Sequence, residues 1–226
     1  MNPRMNGAVR AVVAAFALLA GASAHAANGR LLAMEAAEPI DRFVIGLQKT
    51  AVPLFGGLAL DTSLLADIAL APNLGIRWGT SFGDHRVVVG ARYTIFVGAG
   101  AYSAFINGQQ PVVKRFEPTF GGPSLYAVYG YNLGSLGFHV EGRYANLTYV
   151  SAGVNGAVAW KFAGEWALVG EIGYRFLGPP PLHGALGIRF TGEHFGFSLG
   201  AAYVGIDDPL LPSIPFLPAL DLSWTF

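Results

Sequence analysis

The chain has 226 residues with 14 basic and 14 acidic side chains, a formal charge of zero and no cysteine, which excludes a disulfide framework and a lipidated cysteine and leaves no electrostatic footprint for nucleic acid. Hydrophobic residues make up 53 % and charged residues only 12 %, where ordinary soluble domains carry roughly 25 % charged residues. The 31 glycines and 14 prolines exclude a helical bundle.

The first 26 residues have the layout of a secretory signal peptide. Arg4 and Arg10 give a positive start, Ala11 to Ala20 is an unbroken apolar run, and Ala24-His25-Ala26 supplies a small-x-small cleavage pattern. The run is shorter than the roughly 18 to 20 apolar residues of a spanning helix, so the mature chain is expected to begin near Ala27. Residues 27–62 carry weaker signals. Arg30 to Ala37 reads as a short helix, while 42–49 and 53–61 alternate only partly, interrupted by Pro53 and Gly56-Gly57.

From residue 63 to 226 the chain reads as period-two segments divided by turn signals. Strands are expected near 64–70, 73–82, 86–98, 122–133, 136–148, 153–163, 165–177, 182–192, 194–205 and 217–226. Most supply the roughly 9 to 11 residues with which a tilted strand crosses a bilayer. In 136–144, Leu136, Phe138, Val140 and Tyr144 share one face, and His139, Glu141 and Arg143 share the other. Connections alternate in length. Gly83-Asp84-His85, Gly134-Ser135, Gly164-Glu165 and Gly192-Glu193 mark tight turns, with longer links near 99–121, 149–152, 178–181 and 206–216. High hydrophobicity without a long apolar run fits a closed barrel whose outer face meets lipid. The expected fold is therefore all-β, a transmembrane antiparallel up-and-down barrel of about ten strands. Twelve strands result if 42–49 and 53–61 also pair, and eight if the weakest segments drop out.

The final strand sharpens this reading. Leu220, Leu222, Trp224 and Phe226 alternate with Asp221, Ser223 and Thr225 up to the last residue. This pattern resembles bacterial outer-membrane β-barrel proteins, whose closing strand typically ends in Phe or Trp. The resemblance implies residence in the outer membrane as a multi-pass barrel, with outer-membrane lipid and the assembly machinery as partners. The assembly machinery would recognise Leu220, Leu222, Trp224 and Phe226. It further implies short periplasmic turns, longer extracellular loops, and a periplasmic placement for 27–62. Trp160, Trp166 and Trp224 then fall near the periplasmic interface, as an aromatic belt requires.

With apolar residues facing lipid, the other parity lines the lumen. A charge network is expected there from Asp67, Arg77, Arg92, Glu141, Arg143, Lys161, Glu171, Arg175, Arg189 and Asp221. Charges in a narrow lumen must be paired or wet, and mirroring about hairpin centres predicts Asp67 beside Arg77, Glu141 beside Lys161, and Glu171 beside Arg189. Asp221 should meet Asp67 across the seam. Such a barrel would be a structural or interaction protein with a filled lumen. The alternative is a narrow porin-like channel or a transporter for small or apolar solutes, although wide channels need about 16 to 18 strands. No catalytic residues, metal or cofactor are expected. Asp207, Asp208, His183 and Ser151 form no complete acid–base–nucleophile motif, and His139 with Glu141 lacks a third metal ligand. The apolar stretch 209–218 is expected to be an outer loop and a possible contact surface.

Overall fold

The computed structural model describes residues 29–68, 71–97, 121–147, 150–178, 181–203 and 215–226. These form a closed antiparallel barrel of twelve strands, each paired with its sequence neighbours. The strands are β1 (Val44–Gly46), β2 (Thr50–Pro53), β3 (Leu58–Thr62), β4 (Asn73–Phe82), β5 (His85–Ile95), β6 (Gly121–Leu133), β7 (Leu136–Asn146), β8 (Val150–Ala163), β9 (Trp166–Leu177), β10 (Leu182–Thr191), β11 (Phe195–Tyr203) and β12 (Phe216–Thr225). β12 closes the barrel against β1, with Val44 opposite Thr225 and Gly46 opposite Ser223.

The count is twelve rather than ten because β1, β2 and β3 are only three, four and five residues long. Strands this short carry too little alternation to register as period-two segments. Gly56-Gly57, which interrupts the pattern, is itself the β2–β3 turn. Both glycines have positive φ, 57° and 82°, a region that favours glycine, and the Gly57 carbonyl accepts from the Gly79 N–H at 2.9 Å.

Residues 64–70 were expected to be a strand, but Leu64–Ile68 is a short helix, α1. Ser63 Oγ accepts from the Ala66 N–H at 3.3 Å, the arrangement of a helix N-cap. Asp67 is consequently absent from the lumen network. Its carboxylate accepts from Thr62 Oγ1 and the Asn73 N–H, both at 3.3 Å, and ties the end of β3 to the start of β4. β12 begins at Phe216, one residue before the expected strand 217–226, so the last three residues of the apolar stretch 209–218 belong to the wall, whereas 209–214 lie outside the described residues.

The expected division of faces holds along the long strands. Leu74, Ile76, Val140, Ile172, Tyr174, Leu186, Leu199 and Leu220 are exposed on the outside. Val88, Tyr126, Val128, Ala157, Val169, Ala185 and Ala219 are buried inside. At the end carrying the tight turns, rings of adjacent strands touch in series. Trp166 meets Phe190 at 5.1 Å, Phe190 meets Phe195 at 6.3 Å, and Phe195 meets Trp224 at 5.2 Å between centroids. Phe226 continues the belt to Phe43 at 5.8 Å.

Pro218 sits comfortably in β12 for a local reason. It shares the parity of Leu220 and Leu222, whose carbonyls accept from Gln48 Nε2 at 2.8 Å and from the Leu47 N–H at 3.0 Å. Its missing N–H therefore falls on the edge facing the short strand β1, where no ladder bond is lost.

Inside the wall, Gly90 lies directly opposite Tyr126. A Cβ at 90 would collide with the tyrosine ring, so the ring packs over the glycine and gains burial there. Gly90→Val should therefore destabilise the barrel by about 1–3 kcal/mol, the usual range for overpacking. Urea unfolding of the refolded protein, followed by tryptophan fluorescence, checks this.

Candidate functional site: a hairpin inside the barrel

The lumen holds the chain's own amino-terminal segment. Arg30 to Ala37 form a tight hairpin within the barrel, not the short periplasmic helix expected from sequence. Arg30 and Glu35 bridge as in a two-stranded ladder. The Leu31 N–H donates to Met34 O at 3.1 Å and the Ala36 N–H donates to Gly29 O at 2.9 Å. Leu31, Leu32, Met34, Ala36 and Ala37 are all buried against the inward alanines and valines of the wall. Each large apolar side chain so buried contributes about 1.5–3 kcal/mol relative to exposure. The small wall residues thus leave space that the hairpin fills.

Backbone groups at the hairpin tip have no ladder partner, and wall side chains satisfy them. Glu171 Oε1 accepts from the Leu32 N–H at 2.6 Å, and Oε2 accepts from Ala33 and Met34 at 2.9 and 3.2 Å. One carboxylate on three successive amides makes an anion nest out of the hairpin turn. Glu141 accepts from the Glu35 N–H at 2.7 Å and from Asn155 Nδ2 at 3.2 Å. His139 Nδ1 accepts from the Ala37 N–H at 3.3 Å, a role that leaves the ring proton on Nε2.

Charge complementarity holds the hairpin stem. The fully buried Glu35 carboxylate bonds Lys49 directly, with Arg77 at 3.6 Å, Arg92 at 3.7 Å, Arg30 at 3.8 Å and Arg143 at 4.0 Å. Arg77 also donates to the carbonyls of Gly29, Ala36 and Glu38 at 3.3, 3.3 and 2.9 Å. Glu38 lies 3.3 Å from Arg189 and 3.5 Å from Arg86. Asp61 on β3 bonds Arg92 at 2.7 Å and lies 3.7 Å from Lys49. Asp61 and Arg92 are two strands apart, both paired opposite Gly75 of β4. A side chain at 75 would occupy the position of the Asp61 carboxylate, so the glycine lets the pair meet across it.

The expected lumen network is therefore partly present and differently wired. Arg77, Arg92, Glu141, Arg143, Glu171, Arg175, Arg189 and Asp221 face inward. Glu141 pairs with Arg143 of its own strand at 2.6 Å rather than with Lys161, which is exposed near the tight-turn end of β8. Glu171 serves hairpin amides and Arg189 serves Glu38, so these two do not pair with each other. Asp221 accepts from the Gln48 N–H at 2.9 Å, fixing the β1–β2 connection instead of meeting Asp67. The central residues that sequence reasoning missed are Glu35, Glu38, Lys49 and Asp61. All four lie in 27–62, where the strand pattern is faint. The available signal was seven charged residues, these four with Arg30, Asp41 and Arg42, on a segment too apolar to be a solvated linker.

Above the hairpin tip, toward the end opposite the tight turns, lies a cavity of about 310 Å³ lined by Ala33, Met34, Arg143, Ser151, Asn155, Glu171, Arg175, His183 and Tyr203 among others. His183 Nε2 contacts Asn155 Oδ1 at 2.8 Å. Among the described residues no carboxylate bonds to His183, and Asp207 and Asp208 lie outside them.

No family model and no curated protein matches the sequence. Among solved structures, the outer-membrane expressed OmpT of Vibrio cholerae is similar at a TM-score of 0.42 and 12 % identity, over 78 % of this chain and 62 % of that one. The chain thus spans less than two thirds of that protein's length, and the fold stands on the strand pairings themselves.

Glu35→Gln should release the hairpin stem, because Lys49, Arg77 and Arg92 would remain buried together with only Asp61 to balance them. Removing one partner of a buried pair costs about 3–5 kcal/mol. Amide exchange of Leu32 to Ala37 should accelerate while the β6–β9 amides keep their protection, and adding Lys49→Met should restore part of the loss.

Proposed function

We propose that this chain is an integral outer-membrane β-barrel, non-enzymatic, that acts as a structural or interaction protein and is held closed by its own amino-terminal hairpin. The observation that carries this reading is the hairpin's occupation of the lumen, with its tip amides and the carboxylates of Glu35 and the following Glu38 matched by wall residues. A barrel of twelve strands is too narrow for a general porin, and here the hairpin occupies the lumen below the cavity at its tip. The membrane assignment draws support from the apolar outer face, the ring belt at the tight-turn end, the signal-like amino terminus and the closing strand ending at Phe226. The partners under this reading are outer-membrane lipid and the assembly machinery, the latter engaging outward-facing Leu220, Leu222, Trp224 and Phe226. Phe216, exposed at the start of β12, continues the apolar stretch proposed as a contact surface.

A gated channel is the second reading, and one observation favours it. Without the hairpin, the wall's Lys49, Arg77, Arg86, Arg92, Arg143 and Arg189 would face carboxylates only at Asp61, Glu141, Glu171 and Asp221 among the described residues. Such a wall is cationic and would favour anions.

In planar bilayers the full-length refolded protein should show no unitary currents, and a variant lacking residues 29–40 should conduct with a preference for anions. Unitary currents from the full-length chain would overturn the closed reading. The membrane assignment is checked separately: the folded barrel should migrate differently on a gel before and after boiling, and release from membranes by salt alone would defeat it.

A further inference from the structure

The wall of the barrel is not equally high all round. β12 and β4 each have ten residues, whereas β1, β2 and β3 between them have three, four and five. β12 pairs with β1 only from Ser223 to Thr225, and Leu47 and Gln48 extend the seam as far as the carbonyls of Leu222 and Leu220. Beyond that, toward the long links, the same edge of β12 carries the Phe216 N–H and the carbonyls of Phe216 and Pro218. Among the described residues nothing bonds to them from the β1 side. The place of a strand is taken there by α1. Its Leu65 N–H donates to Leu47 O at 2.8 Å, which sets the helix over the β1–β2 connection. None of its residues is buried, and Leu64, Leu65 and Ile68 are exposed. Hydrogen bonds at its ends, through the Ser63 cap and the Asp67 carboxylate, hold it in place of a buried side chain. A bare strand edge in hydrocarbon is costly, and irregular backbone is tolerated at membrane depth where it lines a wet cavity. Such a cavity is one strand away. Ala202 and Tyr203 line the space above the hairpin tip, and their ladder partners are Leu217 and Phe216 of β12.

We propose that the gap between β12 and α1 is a lateral portal, with α1 as its shutter, through which a neutral single-chain amphiphile passes between the membrane and the cavity above the hairpin tip. Ala33, Met34, Ala145 and Ala202 give that cavity an apolar lining for the chain. Its charges are already engaged, Arg143 with Glu141 and Glu171 with the tip amides, so it calls for no counter-charge and suits a neutral head group. A volume of about 310 Å³ is at the lower end of ligand pockets, which suits one short chain rather than a two-chain lipid. Because α1 buries no residue, swinging it aside breaks its bond to Leu47 without opening the core. The hairpin tip is the cavity floor, so the portal rests on the plugged reading of the barrel.

The test uses the full-length chain refolded into lipid vesicles that carry an alkyl glucoside with a diazirine at the end of its chain. The sample is photolysed after a fixed short interval, and peptide mass spectrometry locates the label. Label is expected inside, at Met34 and Ala202, as well as on outward residues such as Leu199 and Leu220. The chain has no cysteine, so Leu47→Cys with Leu65→Cys can staple the shutter where the two backbones are bonded. Oxidation should lower the inside label severalfold and leave the outside label unchanged, and reduction should restore it. Ser63→Ala, which removes the cap of α1, should raise the inside label by about fivefold, the equivalent of one lost cap. All variants must retain the gel shift of the folded barrel. Absence of inside label would overturn the proposal. So would inside label of equal strength in the oxidised and reduced forms, the signature of entry through the barrel mouth. If the staple does not close, Ser63→Ala decides, and an unchanged inside label there overturns the portal. Unitary currents from the full-length chain would remove the plugged reading while leaving the comparison of stapled and unstapled labelling intact.

Discussion

The arrangement of the lumen depends on one buried carboxylate, that of Glu35. Lys49, Arg77 and Arg92 come from three different parts of the wall and would repel one another in a dry interior. The Glu35 carboxylate, with Asp61 beside it, is what allows them to share the space. Taking charges out of water is costly, and a buried ion network adds little net stability compared with an apolar filling. Its effect is on specificity: an empty lumen, or a hairpin shifted by one residue, would leave several cations unmatched. The same logic extends to Glu171, whose two oxygens take the three tip amides that no strand can satisfy. An unsatisfied buried N–H is expensive, so this carboxylate fixes the depth at which the hairpin stops.

Most of the barrel was legible in the sequence because long strands make their case residue by residue. In β4 to β12 the alternation is sustained over nine to fourteen residues, and the tight turns are written in glycine. The first three strands were faint, being too short for a period to show. Ser63 and the residues after it form a capped turn of helix that reads as an apolar strand until the cap is recognised. The lumen residues were mostly placed on the correct face, since parity follows directly from the pleat. Their partners were not, because mirroring about hairpin centres only considers strand against neighbouring strand. Once a third element enters the lumen, the wall charges turn toward it. Nothing in the period of 30–37 announced that, and the contacts of the hairpin tip with the wall join residues far apart in sequence, Leu32 and Glu171 being separated by 139 residues.

Small residues act in two distinct ways around this lumen. The alanines and valines at 88, 128, 157, 169, 185 and 219 clear a channel wide enough for the hairpin and then pack against it. Individual glycines do something more local. Gly75 lets Asp61 reach Arg92 across an intervening strand, and Gly90 accepts the Tyr126 ring. Gly173 similarly leaves room for the His183–Asn155 contact, since a side chain there would occupy it. The low wall of β1 to β3 is the complement of this economy. Its few ladder bonds are supplemented by Asp221 and by the backbone of Gln48 and Leu47, so the seam is held by side chains where it is short of strands.

The hairpin is joined to β1 by the six residues from Glu38 to Phe43, a reach of about 20 Å when extended. A displaced hairpin therefore stays at the mouth from which it came, and its return is a unimolecular event. Short tethers of this kind correspond to effective concentrations in the millimolar range or above. Filling of the lumen by the hairpin therefore needs no second protein and does not depend on the concentration of the chain. Any signal that keeps the lumen empty must instead occupy the vacated contacts continuously, competing against a ligand that never leaves.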